Sequence, residues 1–267
     1  MVNHSMRVVL MMFGASLVLL AGCSTSMHPS GVQEELATSS DQTDAQKRAR
    51  IRLQLAIGYY EQRQLNTALD EVKLALAADP NFSDAYSVRA LIYMDLGETR
   101  LAEDNFLQAI RLAPNNPDLS SNYGWFLCQN DRAQQAIPYF ESALKNKTYQ
   151  SPAKALNNAG VCSMKIENTA AAERYLLEAF QLEPGNASTN VNLAKVLYKR
   201  RDFERARFYI ARVVKTDALT ADVLWTGIKI ERKLNDRAAE VSLVTQLRRR
   251  YPNSSEYAAY QRGAFDE

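Results

Sequence analysis

Two histidines, three cysteines and a scatter of carboxylates are the residues of this 267-residue sequence that could carry covalent or acid–base chemistry. Both histidines, His4 and His28, precede residue 30, so the remainder of the chain has no imidazole. That removes Ser-His-Asp and Cys-His nucleophiles and every His-containing zinc site from it. Carboxylates such as Asp84 and Glu103 are dispersed as solvated helix residues, not gathered in a convergent pair. Neither a nucleophile elbow nor a glycine-rich phosphate loop occurs. The expectation is a protein that is not an enzyme, with no catalytic residue, no metal ligand and no cofactor. The 32 basic and 30 acidic residues nearly cancel, so no strong field invites nucleic acid. With 46% apolar and 23% charged residues, the composition is that of a folded chain.

The first cysteine, Cys23, closes a distinct segment. Arg7 precedes an apolar run over residues 8–20, reading VVLMMFGASLVLL. As a helix this run would rise about 20 Å, short of a bilayer core of about 30 Å. A basic residue, a short apolar stretch and small residues at its end are the plan of a secretory signal peptide, with Met1 or Met6 as its start. The ending Leu20-Ala21-Gly22-Cys23 resembles the bacterial lipobox. That resemblance implies removal of residues 1–22 and attachment of diacylglyceryl and N-acyl groups to Cys23. Ser24, where an Asp would retain the protein, implies export to the periplasmic face of the outer membrane, with the lipid as the membrane contact. Residues 23–44 are polar, carry no apolar period, and read as a flexible tether of about 20 residues spanning roughly 25 Å.

The elements that position the remaining groups are read from spacing. Ala68, Ala102 and Ala136 lie 34 residues apart, Ala172 follows at 36 and Ala206 at 34. Pro80 and Pro114 are 34 apart, and Pro184 and Pro252 keep the same frame. Within each period apolar residues recur at intervals of three, four and seven, which places them on one face of a helix. A small residue at the eighth position and Ala at the twentieth let two antiparallel helices approach closely. The proline then stops the second helix. This resembles the tetratricopeptide repeat, a helix-turn-helix unit of about 34 residues. The implied fold is all-α, a right-handed superhelical solenoid of about six repeats over residues 45–252, with a cap in 253–267. The sixth repeat is degenerate, with Glu240 in the alanine position.

In such repeats the first helices line a concave groove, and positions two, five, six, nine, twelve and thirteen face inward. Position six is Asn122, Asn158 and Asn192 in the third to fifth repeats. An amide offers donors and acceptors together, and the resemblance implies pairing with the main chain of an extended peptide. Solvated or helix-bonded asparagines are the alternative. Trp125 and Tyr198 stand at inward positions as binding anchors, although Trp125 can instead pack on Phe126. Lys165, Lys195 and Lys199 share the surface and favour an acidic partner, or are simply solvated. Cys128 and Cys162 lie on neighbouring first helices. In an oxidising periplasm they form a disulfide, the alternative being two buried thiols.

The segments NYGWFLCQ (122–129), ALNNAGVC (155–162) and AERYLLEAF (172–180), with the lipobox and RRRYP (248–252), are more specific than a generic repeat. The chain resembles the type IV pilus biogenesis and stability lipoproteins, the PilF or PilW family. Membership implies an outer-membrane pilotin that binds pilus secretin subunits, or other pilus-assembly proteins, and promotes their localisation and multimerisation; the solenoid itself is expected to be monomeric. A scaffold lipoprotein for another envelope machine, such as barrel assembly or peptidoglycan enzymes, shares the coarser features.

Overall fold

Local capping chemistry starts most of the helices. Thr43 opens the first with a capping box, its hydroxyl accepting from the Gln46 backbone while the Gln46 side chain accepts from the Thr43 N–H. Asn116, Asn168, Asn186, Asp202, Thr220, Asp236 and Ser254 cap later ones with side-chain oxygens. Pro117 and Pro152 sit in the first turn of theirs, where a missing N–H is harmless.

The structure, a computed structural model, describes residues 41–216 and 219–265. The signal segment, Cys23, both histidines and nearly all of the expected tether lie outside those residues. Thirteen helices and no strand occur among the described residues, giving an all-α fold. They pair as α1 (Asp44–Glu61) with α2 (Leu65–Ala78), α3 (Ser83–Asp95) with α4 (Thr99–Leu112), and α5 (Pro117–Gln129) with α6 (Ala133–Lys145). Then follow α7 (Pro152–Lys165) with α8 (Thr169–Leu182), α9 (Ala187–Lys199) with α10 (Phe203–Val214), and α11 (Ala221–Lys233) with α12 (Arg237–Arg250). A short α13 (Ser255–Arg262) ends the series.

The alanines of the period are the tightest part of the core. Ala68, Ala102, Ala136, Ala172 and Ala206 are fully buried, as are Phe106, Phe140 and Leu176 opposite the small residues of the preceding helix. A Cβ placed on Gly160 would lie 2.5 Å from Leu176 Cγ, and one on Gly124 would lie 3.1 Å from the Phe140 ring. The glycines are therefore what lets α7 meet α8, and α5 meet α6, at this distance. In the sixth pair Gly227 faces Leu243, sixteen residues on, the same interval as in Gly124–Phe140 and Gly160–Leu176. The close approach survives there with its contact displaced by one residue. Glu240 then keeps its carboxylate bonded to Arg232 at 3.0 Å and Arg237 at 3.4 Å.

Each turn inside a pair uses the same backbone solution. Arg63, Gly97, Asp131, Glu167, Arg201 and Asn235 all have φ between +58° and +79°. One left-handed residue per turn reverses the chain, and only one of the six is glycine. The period of 36 arises between α6 and α7, where no proline stands. There the Asn146 side chain accepts from both the N–H and the hydroxyl of Thr148 and closes the turn.

First helices of neighbouring pairs touch one another: α1 meets α3, α3 meets α5, α5 meets α7, α7 meets α9 and α9 meets α11. The second helices make their main contacts with first helices. The odd-numbered helices therefore form a continuous inner layer and the even-numbered ones an outer layer.

Candidate functional site

The inner layer is cross-linked by polar side chains running from one first helix to the next. Asn122 on α5 donates its amide N–H to Ser87 Oγ on α3 at 3.2 Å. Asn192 on α9 donates to Asn157 Oδ1 on α7 at 3.0 Å, and Thr189 donates to the same oxygen at 3.4 Å. Asn122 and Asn192 are half-buried rungs, and neither carbonyl oxygen accepts a hydrogen bond among the described residues. Asn158 is different. It is 8% exposed, so its amide lies within the wall, while its neighbour Asn157 serves as the acceptor for Asn192 of the next repeat. Ser87 and Asn157, both at position five, were not singled out from the sequence. The signal for them was available, because position five of one repeat faces position six of the next.

Of the aromatic candidates, Trp125 is half-buried and packs against the cluster containing Tyr123, Phe126 and Phe140. Tyr198 is half-buried too, with its ring 5.5 Å from that of Phe203 and the Lys229 ammonium 5.5 Å from its centroid. The lysines are engaged. Lys195 pairs with Asp222 at 2.7 Å, and Lys199 reaches Glu167 at 3.5 Å. Lys165 Nζ donates to the Cys128 carbonyl at 2.9 Å, a cation on the last turn of α5 where the helix dipole is negative. Lysines recur at position thirteen of α7, α9 and α11 and at position nine of α9 and α11.

Cys128 on α5 and Cys162 on α7 are fully buried and joined by a disulfide, with Cα atoms 5.7 Å apart. The bond lies between the two helices that carry Asn122 and Asn158, and it fixes their spacing covalently.

Two carboxylates in the earlier repeats, Asp84 on α3 and Glu103 on α4, are perturbed in opposite directions. Burial and then the charge of Asp118 raise the Asp84 carboxyl above its ordinary value, against hydrogen bonding from Ser83 and the charge of Arg50. Glu103 on α4 behaves oppositely. Burial works against its charge, but hydrogen bonds from Arg132 at 2.6 Å and Tyr123 Oη at 2.9 Å hold it below the usual carboxylate range. Burial and Glu103 together push the Tyr123 hydroxyl up to about 12, so it remains the donor. No three potential ligands converge as a metal site among the described residues, and no described helix is long and apolar enough to cross a membrane. The inner layer thus presents amide rungs and half-buried rings, with ion-paired lysines toward its later repeats.

Comparison with known proteins agrees with this architecture. Residues 53–117 and 87–155 match one tetratricopeptide repeat family pattern, and residues 165–224 match a second. The chain is 28% identical over 242 residues to the type IV pilus assembly protein PilF of Pseudomonas aeruginosa, covering 91% of this chain and 93% of that one. The crystal structure of PilW, described as a widely conserved type IV pilus biogenesis factor, superposes with a TM-score of 0.74 at 31% identity, covering 80% of this chain and 98% of that one. The structure of Pseudomonas aeruginosa PilF superposes with a TM-score of 0.75 at 26% identity, covering 83% and 100%.

Proposed function

The chain belongs to the tetratricopeptide repeat family, within the group of type IV pilus biogenesis proteins represented by PilF and PilW, and from that membership we propose that it is a pilotin. Its inner wall receives an extended segment of a pilus secretin subunit, and an acylated Cys23 holds the complex at the periplasmic face of the outer membrane. The protein supplies a surface and a location, and no bond is made or broken in its partner. A subunit that must assemble within a membrane exposes apolar and unpaired main-chain groups until it multimerises, and a preformed wall can cover them.

The observation that carries this reading is the pair of half-buried amide rungs, Asn122 and Asn192, on the inner layer. Each uses one N–H to brace itself against the preceding repeat and keeps a carbonyl for an incoming strand. A braced amide loses less rotamer freedom on binding than a loose one, so the rungs are preorganised.

The test is removal of the protein followed by electrophoresis of unheated membrane fractions to count secretin multimers. Loss or misplacement of multimers is expected, and restoring the wild-type chain recovers them. Cys23→Ala leaves a folded but unanchored protein, with multimers displaced from the outer membrane. Unaltered multimer abundance and location in the deletion strain would overturn the assignment.

A further inference from the structure

The two ends of the helix stack are finished differently. At the C-terminal end α13 packs on α11, the last of the first helices. At the N-terminal end α1 packs on α2 and α3, and no described helix covers its opposite side. That side is not the polar surface expected of a terminal repeat. Ile51 is 58% exposed and Leu55, one turn on, is 43% exposed, both turned away from the buried Ala49, Leu53 and Ala56. A Cβ placed on Gly58, further along the same face, would meet nothing within 4 Å, so the apolar strip is open over two turns.

Cations frame this strip. Residues 47–52 read KRARIR, and Lys47, Arg48, Arg50 and Arg52 are all exposed. Two of them are engaged: Arg52 pairs with Glu71 on α2 at 2.9 Å, and Arg50 is turned toward Gln42 and the Asp84 carboxyl. Lys47 and Arg48, one turn before Ile51, make no ion pair among the described residues. Asp44 is the acid in the first turn of the same helix. On α2, Asp70 is paired with Lys73 at 3.4 Å.

We infer that the α1 face built from Lys47, Arg48, Ile51 and Leu55 is a docking surface for an anionic phospholipid bilayer, a contact additional to the lipid on Cys23. Apolar side chains beside cations are what a helix face needs to settle among headgroups, the first at the acyl boundary and the second on phosphate. The chain reaches this helix directly from Cys23. Twenty residues, 24–43, lie between them and span at most about 70 Å when fully extended. Where Cys23 is acylated as proposed, α1 is kept within that reach of the bilayer, and the local lipid concentration makes a weak affinity sufficient. Acyl chains limit distance, and a second contact at α1 sets orientation. A second copy of the chain fits the face less well, because two-fold packing would bring Lys47 and Arg48 against their own images.

The test is vesicle flotation with the chain from residue 23 onward carrying Cys23→Ala, the expected mature length without its lipid. Vesicles of phosphatidylcholine with phosphatidylglycerol are expected to carry about fivefold more protein than vesicles of phosphatidylcholine alone. Ile51→Ser with Leu55→Ser, and separately Lys47→Ser with Arg48→Ser, each lose about fivefold. Lys145→Ser with Lys147→Ser removes the same charge elsewhere and keeps the parent binding. All six side chains are exposed, and an unchanged circular dichroism spectrum verifies the fold of each variant. Binding indifferent to phosphatidylglycerol or to the α1 substitutions would overturn the inference. So would no binding at millimolar lipid, which would leave the face to a protein partner. Dimers in sedimentation that Ile51→Ser with Leu55→Ser dissolves would assign the face to a second copy and overturn it too. None of these readouts uses a lipidated Cys23 or counts secretin multimers, so the two proposals fail separately.

Discussion

At the scale of single residues, steric room and backbone sign decide most of the outcome. Gly160 has none to spare: its missing Cβ would stand 2.5 Å from Leu176 Cγ and 3.3 Å from the Ala172 carbonyl. Gly160→Ala gains helix propensity but overpacks the α7–α8 seam, for a net loss of about 1 to 2 kcal/mol in urea denaturation. Gly185→Ala, with nothing within 4 Å of the new methyl, is the matched control and stays near neutral. The reverse change belongs in the turns. Arg201 adopts φ +63°, and its side chain is exposed. Arg201→Gly relieves that strain and stabilises by about 0.5 to 1 kcal/mol, read as a higher melting temperature. The eighth-position glycines were legible in the sequence because they recur in register. The left-handed turn residues were not, since Arg, Asp, Glu and Asn share no side-chain chemistry and only their backbone angle repeats.

Between elements, the joints are polar as well as apolar. Glu103 on α4 reaches across the junction to Tyr123 on α5 and to Arg132 in the turn before α6. Its carboxyl is held below the ordinary range in the folded protein, so it contributes stability that is present above the unfolded carboxylate pKa. That contribution is lost as pH falls through the lowered folded value. Glu103→Gln therefore costs about 1 to 2 kcal/mol near neutral pH. The gap between its melting curve and that of wild type closes in acid; a gap independent of pH would refute the charge-based account. Helix pairs and their order were readable from alanine and proline spacing, because each repeat must bury the same stripe. The wall's rungs were only partly readable. Asn122 and Asn192 lie on the inner layer, whereas Asn158 is drawn into the wall and Asn157 beside it accepts from Asn192. A one-position difference in helix rotation separates a groove residue from a packed one, and periodicity does not resolve it. Phe265 gave no signal at all, since it meets Trp225 and Arg232 on α11 only through the left-handed turn at Gly263.

Across the whole solenoid, stability is a sum of repeats and the interfaces between neighbours. The bond between Cys128 and Cys162 is the one covalent exception among the described residues, tying the third repeat to the fourth across a sequence separation of 34. Closing a loop of that length contributes about 3 to 4 kcal/mol in the chain-entropy model. Cys128→Ser with Cys162→Ser is expected to lose that amount in urea denaturation, and amide exchange should accelerate first in α5 and α7. Exchange rising equally in α1 and α11 would mean that the bond steadies the array as one body. A stack of helix pairs behaves as a spring, with each joint yielding a little under load. Pull on its two ends, and the coil stretches on either side of a riveted middle. A peptide of the kind proposed, laid along that middle, would keep its contacts while the outer coils give.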